Sequence, residues 1–207
     1  MPLLASEGST IKSEPIPAGS YVARCYSLIE IGTESFTYMG EEKSVHKLRL
    51  TWELATEMKV FKEEIGEQPL VVSEEFTLSL SEKSKLRPFL ESWRGKQFTA
   101  QELMGFDLES IVGVPCMLNI IHSESKKGTK FATIASISPV PKGISCPPQI
   151  NAKQVLTYAE WNQETFDSLP DFMREKIMKT PEYQEMTTPS EKEPVTDEEI
   201  NIDDIPF

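Results

Sequence analysis

Val45 to Leu54 reads VHKLRLTWEL, and its alternation decides the fold class. Leu48, Leu50, Trp52 and Leu54 fall on one side of an extended chain, and Lys47, Arg49, Thr51 and Glu53 on the other. Successive side chains of a strand point to opposite faces, so a period of two predicts a half-buried strand, apolar inside and polar outside. Upstream, Gly19 to Ile31 (GSYVARCYSLIEI) is rich in β-branched and aromatic residues and predicts a first long strand, ended by Gly32 and a polar stretch through Glu42. Downstream, a charged loop is expected from Thr56 to Gln68. A third strand follows over Leu70 to Leu80 (LVVSEEFTLSL), with Phe76, Leu78 and Leu80 sharing a parity.

The pattern then turns helical. After Ser81, Leu86, Phe89, Leu90 and Trp93 have the i, i+3, i+4, i+7 spacing of one apolar face; Gly95 stops it, and Pro88 is placed to kink it. Thr99 with Glu102 has capping-box spacing and predicts a second short helix from Ala100 to about Gly105. Pro115 to His122 (PCMLNIIH) and Lys130 to Ser138 (KFATIASIS), joined across Gly128, predict a hairpin. Five strands with a helix between the third and fourth, over residues 19–139, is the chain order of an OB-fold, a small, partly open Greek-key barrel; a split α+β sandwich shares that order. Pro139, Pro141, Pro147 and Pro148 then mark a linker, and residues 140–186 read as that linker plus a short helical extension. Its helical signals are Ser168 ahead of Pro170 and the apolar set Phe172, Met173 and Ile177. The extension is too short to stand alone, so it is expected to cover a barrel end or to supply a contact in a homo-oligomer. Residues 1–18 read as a flexible lead-in and 187–207 as a disordered acidic tail.

The 207 residues carry a formal net charge of −12, from 33 acids against 21 bases. Glu185 to Phe207 holds eight acids against Lys192 alone, a net of −7, which leaves −5 on the body. A globally basic protein held on nucleic acid by bulk attraction is excluded, whereas a locally basic groove is not. No stretch has the roughly 20 apolar residues a membrane span needs, and the N-terminal residues lack a secretory layout, so a soluble, intracellular protein is expected. Cys25, Cys116 and Cys146 are an odd number at wide spacing, which argues against a disulfide framework or a four-ligand zinc site.

Catalytic signatures are missing: there is no G-x-S-x-G, H-E-x-x-H, P-loop or G-x-G-x-x-G, and the two histidines, His46 and His122, fall at strand ends. The chain is therefore expected not to be an enzyme and to carry no cofactor or metal. Glu63 with Glu64 and Glu74 with Glu75 read as loop and strand-face charges, Cys25 and Cys116 as inert core thiols, and Trp52 and Trp93 as core. What remains are cations and aromatics, the groups that neutralise phosphates and stack on unpaired bases. Lys47 and Arg49 project from the face opposite the leucines; Arg24 and Tyr26 share a parity on the first strand; Phe36 and Tyr38 sit in the polar stretch after it. Lys126, Lys127 and Lys130, with Phe131 adjacent, put three positive charges in five residues. Lys83, Lys85, Arg87, Arg94 and Lys96 read instead as a solvated helix face.

The chain ends Asp203-Asp204-Ile205-Pro206-Phe207, acids followed by an apolar tip and a carboxylate, a form suited to an apolar cleft with a basic rim. This ending resembles that of bacterial single-stranded DNA-binding proteins. The body, through IPAGSYVARCY (16–26), LRPFLESWRGK (86–96), MLNIIH (117–122) and KGTKFATIASISP (127–139), is similar to phage or prophage proteins of that kind. The resemblance implies an OB-fold that coats single-stranded DNA during phage DNA replication, recombination and repair in the cytoplasm of a bacterial host. It also implies that Asp203, Asp204, Ile205, Pro206 and Phe207 recruit replication and recombination enzymes. The rivals are an acidic DNA mimic that inhibits a host nuclease or restriction factor, and a single-stranded RNA binder.

Overall fold

Leu48, Leu50, Trp52 and Leu54 are each at most 1% exposed, so the alternating stretch does present one buried face. The computed structural model describes residues 15–62, 66–125 and 128–188. These residues are mainly β, with strands β1 (Gly19–Tyr38), β2 (Glu41–Lys62), β3 (Gly66–Thr77), β4 (Pro115–Glu124), β5 (Lys130–Ser138) and β6 (Gln154–Leu156). The helices are α1 (Leu86–Arg94), α2 (Ala100–Met104), α3 (Gln163–Ser168), α4 (Asp171–Met178) and α5 (Pro181–Thr187). Five strands form one curled antiparallel sheet in the order β3-β2-β1-β4-β5. The order β4-β1-β2-β3 within it is a Greek key, in which the fourth strand returns through a long connection to lie beside the first.

The first core lies inside the curl. Trp52 meets Phe89 at 5.6 Å and Trp93 at 5.7 Å between ring centroids, and Phe76 meets Phe89 at 4.7 Å, so α1 closes over the leucine face of β2. Each such side chain removed from water contributes about 2 kcal/mol. Gly95 ends α1 in the left-handed conformation (φ 68°), as its position suggests. Pro88 falls in the first turn of α1, where backbone N–H groups have no partner within the helix, so the ring costs no helical bond. The Thr99–Glu102 capping box forms in full. Arg94 departs from the expected solvated face. It lies 4.4 Å from the Phe98 ring centroid and 4.9 Å from that of Phe106, and it pairs with Glu102.

Two expected loops are strand. The polar stretch after Gly32 continues β1 to Tyr38, and the chain reverses through Met39 and Gly40, both at positive φ (52° and 83°). That pair of signs is the twist-matched two-residue hairpin turn, normally marked by Asn-Gly or Asp-Gly, which a methionine conceals. Most of the stretch from Thr56 to Gln68 is a second paired arm, with Met58, Lys59, Val60 and Lys62 opposite Pro69, Gln68, Glu67 and Gly66; Glu63 and Glu64 lie outside the described residues. β3 stops at Thr77, so Leu78 is 42% exposed while Phe76 is buried.

The chain after Pro139 covers the sheet of its own molecule. β6 runs parallel to β1 beside Ser27, Leu28 and Ile29, on the edge that β4 has left at Arg24. Leu28 faces the first core, whereas Ile29 and Ile31 join Leu156, Phe166, Leu169, Met173 and Ile177 in a second one, with Tyr158, Trp161 and Tyr183 at its margin. β1 is thereby buried on both sides. Ser168 closes α3 instead of opening a helix, because Asn162 caps α3 and Pro170 precedes α4. Cys25 and Cys116 are fully buried, and burial pushes the Cys25 thiol up to about 12 and raises that of Cys116 as well. Among the described residues no helix is long and apolar enough to cross a membrane.

Candidate nucleic-acid interface

The outer side of β2 carries Lys43, Val45, Lys47, Arg49, Thr51 and Glu53, the residues opposite in parity to the buried leucines. Pairing puts Phe36 directly across from Lys43 and Tyr38 across from Glu41, and directly opposed residues share a face. Phe36 (45% exposed), Tyr38 (51%) and Lys43 therefore stand together at the end of the β1–β2 arm. The Lys43 ammonium lies 4.8 Å from the Tyr38 ring centroid and 3.8 Å from Glu41.

Toward the body, the same face carries a chain of ion pairs. Lys47 pairs with Glu34; Glu34 meets Lys176 of α4 at 2.9 Å; Lys176 meets Glu75 of β3 at 2.6 Å; Glu75 lies 3.4 Å from Arg49. Three cations thus face two carboxylates, a local surplus of positive charge on an acidic protein. Burial alone would raise the Glu34 carboxyl, but hydrogen bonds from Lys47 and Lys176 outweigh it and hold it below its ordinary range. Burial works against the charge of Lys176 too, and the bonds to Glu75 and Glu34 more than restore it. Beside this chain an open cleft of about 550 Å³ separates Thr33, Glu34 and Ser35 from Phe172, Lys176 and Lys179. Phe172, expected in the apolar stripe of its helix, is 57% exposed, and the Arg49 guanidinium sits 5.6 Å from its ring centroid. Met173 and Ile177, four apart, carry the buried stripe; Phe172 stands one position off it.

The other sequence candidates fall elsewhere. Arg24 donates to the carbonyls of Gly113 (2.6 Å) and Pro147 (3.0 Å), holding the 140–151 segment against the sheet. Tyr26 occupies a register shift between Cys25 and Ser27, and burial raises its hydroxyl. Lys130 is exposed opposite Glu124, and Phe131 is 45% exposed opposite Ser123. Because β4 runs antiparallel to β1 and passes Gly19, the β4–β5 tip lies at the end of the sheet opposite the β1–β2 tip. Phe131 and Phe36 therefore do not form one patch. Lys126, Lys127 and the tip residues Asp203, Asp204, Ile205, Pro206 and Phe207 lie outside the described residues.

Sequence reasoning missed Lys43, Phe172, Lys176 and Lys179. Lys43 was legible, since it shares parity with Lys47 and Arg49 once the arm is known to be strand. The α4 residues carried no such signal, because nothing in their spacing says which sheet face the helix covers. His46, read as an ordinary strand-end histidine, bridges Glu30 (2.7 Å) and Glu182 of α5 (3.2 Å). His122 reaches the Ile16 carbonyl at 2.8 Å. Comparison of the chain with protein-family models, with curated proteins and with solved structures found no match.

Proposed function

We propose that this protein is a non-catalytic single-stranded DNA-binding protein of phage type, which coats single strands during replication and recombination and recruits enzymes through its acidic tip. The observation that carries the proposal is the outer face of the β1–β2 arm, where two exposed aromatics and Lys43 continue into Lys47 and Arg49. Rings on which bases stack and cations that track phosphates are what sequence-tolerant single-strand binding requires. The curled Greek-key sheet, read as a partly open OB barrel, adds support, because that fold binds oligonucleotides on its β2–β3 face and adjoining loops. The carboxylates of Glu34 and Glu75 already neutralise part of the cationic run, so phosphates compete with them and affinity falls with salt. The anionic tail competes for the same cations.

The test is a fluorescence titration with oligo-dT, a matched duplex and oligo-U at two salt concentrations, on the full chain and on a chain ending at Thr188. Salt-sensitive binding of oligo-dT over duplex, as tight or tighter without the tail, is the expected result. Absence of binding by both chains overturns the proposal in favour of the acidic mimic, and a preference for oligo-U moves the ligand to RNA.

A further inference from the structure

Phe172 is a large apolar side chain left 57% exposed on a helix whose neighbouring Met173 and Ile177 are buried. Isolated exposed phenylalanines are ordinary, but this one has a guanidinium over its ring and opens onto a built cleft. Opposite it runs the Thr33–Ser35 stretch of β1, where the Thr33 hydroxyl is already held by Glu182 and His46 and Ser35 is exposed, and below it on α4 are Lys176 and the exposed Lys179, which has no ion pair among the described residues. The carboxylates of Glu34 and Glu175 also border the cleft, so a bare anion is poorly served there. A ligand that offers a flat ring to Phe172, a hydrogen-bonding group to the exposed Ser35, and a single negative charge to the lysines fits this lining. That combination is a nucleotide unit of a polynucleotide.

We infer that the cleft between β1 and α4 is a nucleotide subsite, in which Phe172 stacks on one base and Lys179, with Lys176, takes the adjoining phosphate. The inference rests on the single-strand reading above and extends it, since the C-terminal extension becomes part of the DNA path as well as a cover for the sheet. Thr33 to Ser35 lead directly into Phe36 and Tyr38 along β1, so a strand stacked on the arm continues into the cleft.

The experiment uses the full chain and its Phe172→Ala and Lys179→Ala variants, titrated with oligo-dT and with an abasic strand of equal length. Phe172→Ala is expected to weaken oligo-dT binding about tenfold, the value of one base–aromatic stack. It should also shrink by a similar factor the penalty for removing the bases, a readout that a merely structural role would leave unmoved. Lys179→Ala should lower affinity several-fold and make the salt dependence shallower by about one phosphate contact. If the native chain binds oligo-dT and both variants match it in affinity, base penalty and salt slope, the subsite is wrong and the single-strand assignment stands. If the native chain binds neither strand, both fall together.

Discussion

Glu53 is fully buried on the outer side of β2 and accepts both the backbone N–H and the side-chain amide of Asn151, each at 2.8 Å. A third bond, from the Ile150 N–H at 2.9 Å, completes the set. A buried carboxylate is tolerated only when its lone pairs are met, and here a segment 98 residues away meets them. Glu53→Ala leaves these donors without their acceptor, for an expected loss of about 3 kcal/mol. Urea unfolding of Glu53→Ala and Glu53→Gln checks this, with Gln falling between Ala and the native residue because it keeps one acceptor. Equal stability of all three refutes the clamp.

Met39 adopts φ 52° at the tip of the β1–β2 arm with 87% of its surface exposed, so it has little packing to lose. Left-handed backbone costs a residue other than glycine about 1 kcal/mol. Met39→Gly and Met39→Asn are therefore expected to raise the melting temperature, and a drop in both would show that the turn is held differently.

Docking of the extension through Glu34 and Lys176 has a definite pH window. The Glu34 carboxyl sits below its ordinary 4.5 in the folded chain, so its contribution is complete above that value and is lost as pH falls through the lowered one. Lys176 sits above its ordinary 10.5, so its contribution is complete below that value and is lost as pH rises through the raised one. Amide protection in α4, taken as the exchange rate relative to the intrinsic rate at each pH, is expected to be greatest between these limits and smaller outside them. Lys176→Met should abolish the alkaline dependence and make the acid one shallower, because it removes the cation that Glu34 and Glu75 share while Lys47 still holds Glu34.

Ile177 is fully buried in the second core, and Leu50 in the first. Truncation of either to alanine is expected to cost 2–5 kcal/mol, by the usual order of magnitude for roughly that loss of buried volume. The two differ in place. Ile177→Ala should raise amide exchange in α3 to α5 ahead of the sheet, whereas Leu50→Ala should lower the stability of both regions, because the second core is built on β1. Identical exchange patterns in the two variants would contradict a shared central strand.

Lys43→Ala tests the arm without touching either core, since the side chain is exposed. Oligo-dT affinity is expected to fall several-fold and the salt slope by about one. An unchanged slope removes Lys43 from the DNA path.

How much of this was legible depended on whether a residue's role was local. The alternation of Leu48 to Leu54, the Thr99–Glu102 box and the glycine stop at Gly95 are short-range signals, and all three are present in the structure. The two hairpin arms were hidden because neither has a buried face, their apolar side chains Phe36, Tyr38, Met58 and Val60 all being exposed, and because in the first arm a methionine occupies the turn position that asparagine normally marks. Arg24 and Glu53 look like surface charges in sequence. Their partners, the Pro147 carbonyl and Asn151, lie 123 and 98 residues away, and no periodicity reports such pairings. Of the candidate site, Phe36, Tyr38, Lys47 and Arg49 were identified by residue type and parity, whereas the α4 contribution required knowing where the extension lies.

The parallel pairing of Ser27 with Gln154 bears on how the chain is made. During synthesis Ser27 emerges 127 residues before its partner, so the sheet can assemble while the outer flank of Ile29 and Ile31 still has nothing to cover it. Closing so long a span is slow relative to forming the hairpins. A nascent chain stalled before Leu156 would thus display a sticky isoleucine flank, and that interval is when a chaperone, or a second nascent chain, has its best opportunity to bind.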